Sequence, residues 1–150
     1  MSAIRELYQQ VILDHNRSPR NFRAMENSTC SAEGFNPLCG DHYTVFVRME
    51  GEVLADVSFQ GAGCAISKAS ASVMSSLLKG KSRAEALGTF GTFRELVTRG
   101  LQEGEDIEVL GRLAAFAGVN EFPARVKCAI LPWHTLRSAL TSNGTPVTTE

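Results

Sequence analysis

The feature that most constrains the fold is a set of three short cysteine-containing segments that lie far apart in the sequence. Cys39 and Asp41 stand two residues apart in a turn punctuated by proline and glycine. Cys64 follows a glycine-rich step, and Cys128 lies far down the chain. Thiolates together with one carboxylate oxygen are a ligand set that suits a tetrahedral zinc ion. If these side chains share a metal ion, the turn and two separate helical segments must meet in the fold.

The strand signals come from two segments that alternate apolar and polar side chains. Residues 43–49 and 53–59 both show this period of two, and a short connection around Gly51 joins them. They predict an antiparallel hairpin with one face on the core. A short edge strand is also expected around residues 29–32, which gives a small antiparallel sheet of about three strands.

The helix signals come from apolar side chains that recur at intervals of three and four residues. About five helices are expected from this spacing. They cover residues 2–15, a segment from Cys64 to Gly80, a segment opened by a capping box at Ser82 and Glu85 that runs through Val97, residues 107–116, and residues 123–140. The polar tail at 141–150 is expected to be disordered. The sum is one α+β domain over residues 1–150, a small antiparallel sheet packed with about five helices.

Composition and charge are those of an ordinary soluble protein. Hydrophobic residues make up 43% of the chain and the formal net charge is −1, without the basic stripe that nucleic-acid binding requires. No apolar run approaches the roughly 18 residues of a membrane span, and the N-terminus lacks a signal-peptide pattern. We therefore expect a cytoplasmic protein without nucleic-acid or membrane partners. Because thiols stay reduced in that compartment, its cysteines are interpreted as metal ligands or reactive groups before disulfides.

The supports of the three cysteines differ. Cys64 opens a helix, where the helix dipole and the free amide groups stabilise a thiolate. Cys39 lies in a turn flanked by proline and glycine, which we expect to be the most mobile of the three segments. Arg125 stands three residues before Cys128 and hence on the same helix face. A site of three thiolates and one carboxylate favours a cation at such a position.

Each candidate also has a plainer interpretation. A lone cysteine is more often a small buried hydrophobe than a ligand, and this is the interpretation of Cys30, which lies outside every motif. Asp41 alone would suit a turn that it stabilises through its own backbone, and Arg125 and Lys127 would suit a solvated surface. No C-x-x-C pair is present, so spacing alone does not require zinc. Three histidines are interpreted as structural, His15, His42 and His134, and Trp133 is interpreted as a core or interface residue.

Three segments of the sequence are familiar as a set. They resemble the signature segments of the SufU/IscU iron–sulfur cluster assembly family, which is NifU N-terminal-like: NPLCGD at 36–41, GAGCAISKAS at 61–70 and FPARVKC at 122–128. Residues 7–15 and 19–21 look like the N-terminal helix of that family and the turn that follows it. The segments occur in the order of the family and span most of the chain.

Two features of the sequence are similar to the SufU branch of the family. The IscU branch carries a histidine immediately before the third cysteine, where this chain has Lys127. Residues 81–106 also look like the extra helical insertion of SufU-type proteins. The resemblance therefore implies a SufU-type, zinc-dependent sulfurtransferase that acts in iron–sulfur cluster biogenesis.

The resemblance also implies a role for each site residue. In the family, zinc is held by the residues that match four positions of this chain: Cys39, Asp41, Cys64 and Cys128. A PLP-dependent cysteine desulfurase presents a persulfide, and the residue matching Cys39 accepts its sulfur, with an iron–sulfur scaffold as the downstream partner. Arg125 is expected to orient the carboxylate or to hold the partner, and it joins Cys39 as a candidate catalytic residue.

Other functions stay open at this point. The same cysteines suit a scaffold on which an iron–sulfur cluster is assembled, with iron in place of zinc. They also suit a binding module in which zinc is only structural. A thiol redox enzyme is disfavoured, because the sequence has no resolving cysteine pair.

Overall fold

Alternating and helical segments of the sequence build an α+β fold, as predicted. The computed structural model describes residues 2–141 and 144–149. Within these residues lie four strands: β1 (Cys30–Asn36), β2 (Asp41–Glu50), β3 (Val53–Ala62) and β4 (Val147–Thr148). The same residues form five α-helices, α1 (Ser2–Arg17), α2 (Ala65–Leu78), α3 (Arg83–Arg99), α4 (Ile107–Leu110) and α5 (Pro123–Thr141), and a 3₁₀-helix over Gly111–Glu121.

The sheet is built around the predicted hairpin. Its strand order is β3-β2-β1-β4, and β1, β2 and β3 are antiparallel. Tyr43 and Val47 of β2 point to the core and are fully buried, so the alternation in the sequence reports the buried face. The strand expected at 29–32 is longer, because β1 continues to Asn36, which pairs with Asp41. The turn that carries the first cysteine is therefore the connection of a second hairpin.

Helix α5 packs directly on β1 because β1 has a glycine at the contact. A Cβ at Gly34 would lie 2.0 Å from Thr135 Oγ1, so a larger residue would push the helix away. Trp133 of α5 is fully buried and stacks on Phe93 of α3, with ring centroids 4.6 Å apart. The Trp133 indole N–H donates to Ser70 Oγ of α2 at 3.1 Å. Of the two roles considered for Trp133, core and interface, the structure shows the core.

The predicted beginnings of α2 and α3 are confirmed. Cys64 is the N-cap residue of α2. The capping box of α3 is complete, since Glu85 N–H donates to Ser82 Oγ at 3.1 Å and Ser82 N–H donates to Glu85 Oε1 at 2.9 Å. Local side-chain chemistry thus fixes both helix starts.

The helix predicted over 107–116 is wrong beyond Leu110. Gly111 has a φ of +59°, which an α-helix cannot accommodate. The chain continues as a 3₁₀-helix to Glu121, and this segment packs between α1 and α3. Apolar spacing alone does not separate the two helix types.

The structure also differs from the disordered tail predicted over 141–150. Its described residues are Thr141, which ends α5, and 144–149, which contain β4; this strand pairs in parallel with β1 opposite Gly34 and Phe35. The polar composition concealed this strand because the pairing uses backbone groups and not side chains. Three residues of the predicted tail lie outside the described residues: 142, 143 and 150.

Across 2–141 and 144–149, no helix combines the length and the apolar character needed to span a membrane.

Candidate metal centre

The β1–β2 turn lifts Cys39 to the surface. Asn36 and Asp41 form the last pair of the two strands, and Cys39 N–H donates to the Asn36 carbonyl at 3.2 Å. Gly40 completes the turn with a φ of +75°, a conformation that costs glycine little. Cys39 is exposed, and its neighbour Leu38 is 74% exposed. The first cysteine therefore sits at the accessible tip of a hairpin.

Three of the four predicted ligands lie close together, with Cys39 at this tip and the other two beneath it. Cys39, Asp41 and Cys128 each offer one ligand atom, and these atoms all lie within 4.8 Å of one another. Asp41 is 2% exposed and Cys128 is 3% exposed. The group thus has one accessible thiol above a buried carboxylate and a buried thiol.

The Asp41 carboxylate is held by hydrogen bonds at both oxygens. Oδ1 accepts from Cys64 N–H at 2.9 Å and from Ser67 Oγ at 3.1 Å. Oδ2 accepts from Asn36 Nδ2 at 3.3 Å. The Tyr43 hydroxyl in turn lies 2.9 Å from Ser67 Oγ. Side-chain networks of this kind orient metal ligands.

Burial governs the chemistry of Cys128. Loss of solvent raises the pKa of the Cys128 thiol well above its ordinary range, and the neighbouring Cys39 and Asp41 act in the same direction. A thiolate at this position therefore needs a cation beside it. The same burial raises the pKa of Tyr43, so that its hydroxyl stays a neutral hydrogen-bonding group.

Cys64 lies next to this group without joining it. Its thiol accepts from Ser67 N–H at 3.4 Å and thereby caps α2. Its backbone N–H contacts Asp41, as described above. Among the described residues, the group of ligand atoms within 4.8 Å comprises the other three side chains. The role of Cys64 as a fourth ligand stays a prediction.

Gly63 leaves the room that the carboxylate occupies. A Cβ at this position would lie 2.5 Å from Asp41 Oδ1, 2.6 Å from Ser67 Oγ and 2.7 Å from the Tyr43 hydroxyl. The glycine before Cys64 is thus required by the polar cluster. Two thiols of soft character, one oriented carboxylate and a pocket kept free of a side chain fit a thiolate-bound metal such as zinc.

Arg125 lies away from the hydrogen bonds of this centre. It is exposed, and its guanidinium lies over the Phe122 ring, 4.5 Å from the centroid. It lines a surface groove with Arg5, Tyr8 and other residues of α1 and the 3₁₀-helix. The described hydrogen bonds to the Asp41 side chain come from Asn36, Cys64 and Ser67. Orientation of the carboxylate by Arg125 therefore gains no support from these contacts.

The fourth cysteine and the histidines lie elsewhere. Cys30 begins β1, is half-buried and has a pKa raised by burial. His15 is buried, with Nδ1 2.6 Å from Ser72 Oγ, and burial lowers its pKa to about 4. His42 is exposed and stacks on Phe35, and burial lowers the pKa of His134, which packs on Phe90. These contacts agree with structural roles.

Sequence reasoning missed Asn36, Tyr43 and Ser67 as parts of the site. Asn36 stands in the same six-residue segment as Cys39, and Ser67 stands three residues after Cys64 in the first turn of α2. The position of Ser67 is where a helix presents a side chain next to its N-cap. Their convergence on one carboxylate depends on the tertiary structure.

The chain belongs to a family whose curated members include iron–sulfur cluster assembly proteins. This is the family of the NifU-like N terminal domain, whose model matches residues 7–129. The resemblance inferred from the three cysteine segments is thereby confirmed.

Individual relatives carry two kinds of name. The chain is 39% identical over 134 residues to the zinc-dependent sulfurtransferase SufU of Bacillus subtilis (strain 168), a match that covers 89% of each chain. It is 35% identical over 140 residues to the iron–sulfur cluster assembly scaffold protein IscU of Streptococcus pyogenes serotype M1, covering 93% of this chain and 86% of that protein.

A solved structure supports the same fold. A candidate iron–sulfur cluster assembly scaffold protein for the SUF system, from Fervidobacterium islandicum AW-1, superimposes with a TM-score of 0.80 at 37% sequence identity. The match covers 91% of this chain and 98% of that one. The SufU/IscU type of fold is thus shown. Identities of 39% to a sulfurtransferase and 35% to a scaffold protein do not distinguish between these two activities.

Proposed function

We propose that this chain is a zinc-dependent sulfur acceptor, which takes sulfane sulfur from a cysteine desulfurase onto Cys39 for iron–sulfur cluster biogenesis. The observation that carries the proposal is the asymmetry of the centre. Cys39 is exposed at a hairpin tip, whereas Asp41 and Cys128, within 4.8 Å of it, are buried. A protein partner can reach the first thiol and not the other two side chains.

Zinc would be held by Cys39, Asp41 and Cys128, with Cys64 as the proposed fourth ligand. When bound, the metal supplies positive charge that keeps buried thiols in the thiolate form at neutral pH. The chain supplies the rest. Asp41 is fixed by three hydrogen bonds, and the turn lets Cys39 move without disturbing the strands that carry Asn36 and Asp41.

The transfer step needs no external oxidant or reductant. The Cys39 thiolate attacks the outer sulfur of the donor's persulfide, which carries a proton. A sulfur–sulfur bond forms at Cys39 Sγ while the sulfur–sulfur bond of the donor breaks. The donor cysteine leaves as a thiolate, and the proton stays on the transferred sulfur. Electrons balance, because one persulfide is exchanged for another.

The partners follow from this step. The donor is a protein persulfide of the kind that a PLP-dependent cysteine desulfurase makes, and the acceptor is a protein that assembles iron–sulfur clusters. Arg125 is proposed to hold the donor, since its guanidinium is exposed beside the exposed ring of Phe122. Exposed aromatic and guanidinium groups are frequent anchors at protein interfaces.

Sulfur uptake tests the proposal directly. Zinc-loaded protein is incubated with a cysteine desulfurase and radiolabelled cysteine, and label bound to the chain is counted with and without a thiol reductant. The parent protein and Cys30→Ala should both take up about one sulfur, and Cys39→Ala should take up none. Cys30 is the matched control because it is a half-buried cysteine outside the centre. Equal labelling of Cys39→Ala and the parent would contradict the assignment.

A cluster scaffold is the second candidate, favoured by the scaffold names of several relatives. Iron and sulfide are then the cargo, and the same thiols hold them. Metal analysis separates the two functions. Protein purified without added metal should carry about one zinc under the first proposal. Stoichiometric iron with labile sulfide, and no zinc, would favour the scaffold.

A further inference from the structure

Asn36 contacts three residues of the metal centre at once. Its backbone carbonyl accepts from Cys39 N–H at 3.2 Å. Its side-chain Nδ2 donates to Asp41 Oδ2 at 3.3 Å and to Cys128 Sγ at 3.5 Å. Asn36 is buried, with 1% of the residue exposed. One amide group therefore links the strand pair, the carboxylate and the thiol of α5.

One of the two polar atoms of this amide is unpaired. Asn36 Oδ1 is buried and, among the described residues, has no hydrogen-bond partner. A buried oxygen without a partner is destabilising, and an apolar side chain of similar size would remove that penalty. The contacts made by Nδ2 are what an apolar side chain would lose, and both are to predicted metal ligands.

We propose that Asn36 is a positioning residue, whose amide holds Asp41 and Cys128 at a fixed separation while Cys39 leaves to accept sulfur. The proposal rests on the proposed function for the departure of Cys39. Its geometric basis is that the described hydrogen bond between Asn36 and Cys39 joins backbone groups, whereas the Asn36 amide donates to the two buried side chains. Loss of the Cys39 thiol thus leaves both amide contacts in place.

The test compares zinc affinity with the stability of the metal-free protein. Zinc binding is measured by competition with a chromophoric chelator, using the parent, Asn36→Leu and Ser58→Ala. Removing a residue that orients metal ligands typically weakens metal binding by about 10- to 100-fold, and this loss is expected for Asn36→Leu. Ser58→Ala is the matched control, since Ser58 Oγ is, like Asn36 Oδ1, a buried side-chain oxygen without a hydrogen-bond partner among the described residues.

Metal-free melting temperatures separate positioning from a general structural role. Metal-free Asn36→Leu loses an unpaired oxygen and also the donor to Asp41 Oδ2; because these two effects oppose each other, its melting temperature should be close to that of the metal-free parent. If Asn36→Leu does not fold without metal, Asn36→Ala gives the same comparison with a smaller side chain. Zinc affinity within twofold of the parent, in whichever variant folds, would overturn the proposal.

A double-mutant cycle identifies the ligands through which Asn36 acts. The fold-losses of Asn36→Leu and Cys39→Ala should be closer to independent than those of Asn36→Leu and Asp41→Ala, because the described hydrogen bonds of the Asn36 side chain go to Asp41 and Cys128 and not to Cys39. In the Asp41→Ala background, Asn36→Leu should weaken zinc binding by a smaller factor than in the parent, because one of the two Asn36 contacts is already gone. If Asn36→Leu weakens zinc binding by the same factor in the Cys39→Ala background and in the Asp41→Ala background, the proposal is wrong.

Two different results distinguish the role of Asn36 from the role of Cys39 as sulfur acceptor. If the parent binds zinc and accepts sulfur while Asn36→Leu binds zinc as tightly as the parent, only the role of Asn36 is wrong. If the parent accepts no sulfur on Cys39, the proposed function is wrong.

Discussion

The tip of the β1–β2 turn and the base beneath it are built in opposite ways. At the tip, Leu38 is 74% exposed and Cys39 is exposed, and Gly40 has no heavy atom within 4 Å of the place where a Cβ would stand. At the base, Asp41 and Cys128 are almost fully buried, and Gly63 is so crowded that it has no room for a Cβ.

Under the proposed function, this difference separates a ligand that can leave from ligands that stay. Moving Cys39 disturbs one backbone hydrogen bond within the turn. Moving Asp41 would break three hydrogen bonds, and moving Cys128 would displace a residue of α5 that packs in the core. A site that exchanged a ligand would need both kinds of support, a movable one for Cys39 and a fixed one for Asp41 and Cys128.

The largest expected effect comes from removing a thiol of the base. Cys128→Ala should lose zinc, whereas Cys39→Ala should keep it with water in the vacant position. At free zinc 100-fold above the dissociation constant, bound metal stabilises the parent by about 2.7 kcal/mol, and Cys128→Ala should lose this amount. Metal analysis after dialysis and denaturation with and without zinc measure both quantities.

Cys30→Ala serves as the control in this comparison and should match the parent. If Cys39→Ala and Cys128→Ala lose zinc to the same extent, the tip and the base do not differ as ligand supports.

A second effect concerns the room around the carboxylate. Gly63→Ala places a methyl group 2.5 Å from Asp41 Oδ1, and such overpacking costs about 1–3 kcal/mol. Gly88→Ala is its control, because the position lies within α3 and has open space around it. That substitution should stabilise the protein by about 0.5–1 kcal/mol.

Denaturant titration of the metal-free variants measures the two glycine substitutions. A Gly63→Ala variant as stable as Gly88→Ala would show that the base is not tightly packed.

A smaller effect, specific to pH, concerns the support of α2. Burial lowers the pKa of His15 from 6.5 to about 4, so the unfolded chain binds a proton in a pH range where the folded chain does not. This part of the stability is complete above about pH 6.5 and is lost as the pH falls toward 4. Between pH 7.5 and pH 5 the loss should be about 2 kcal/mol.

His15→Gln should remove that component of the pH dependence, which denaturation at the two pH values would show. Ser72, the hydrogen-bond partner of His15, lies in the middle of α2. The variant therefore tests the packing of α1 against α2 and not the tip of the β1–β2 turn. An unchanged pH dependence would mean that His15 is not the group responsible.

The parts of the fold that the sequence predicts are those encoded locally. The alternation in β2 and β3 and the capping box at Ser82 and Glu85 depend on neighbouring residues, and both are found in the structure. The 3₁₀-helix after Gly111 and the β4 pairing with Phe35 were not predicted. The first depends on one backbone angle and the second on a strand edge that is distant in the sequence.

The candidate site divides in the same way. The clustering of Cys39, Asp41 and Cys128 was predicted from residue chemistry and from family resemblance. The supporting contacts of Asn36 and Ser67 were not, because both residues are common in turns and helix starts, where they usually bond to local backbone. Only the convergence of β1, β2 and α2 directs their side chains to Asp41.

The measurement that tests the central claim most directly is the location of the transferred sulfur. Zinc-loaded parent protein is mixed with a cysteine desulfurase and cysteine, free thiols are alkylated, and peptides are mapped by mass spectrometry. The added sulfur should lie on the peptide that contains Cys39, because that thiol is exposed while Cys128 is buried. A persulfide on Cys128, Cys64 or Cys30, with none on Cys39, would contradict the account.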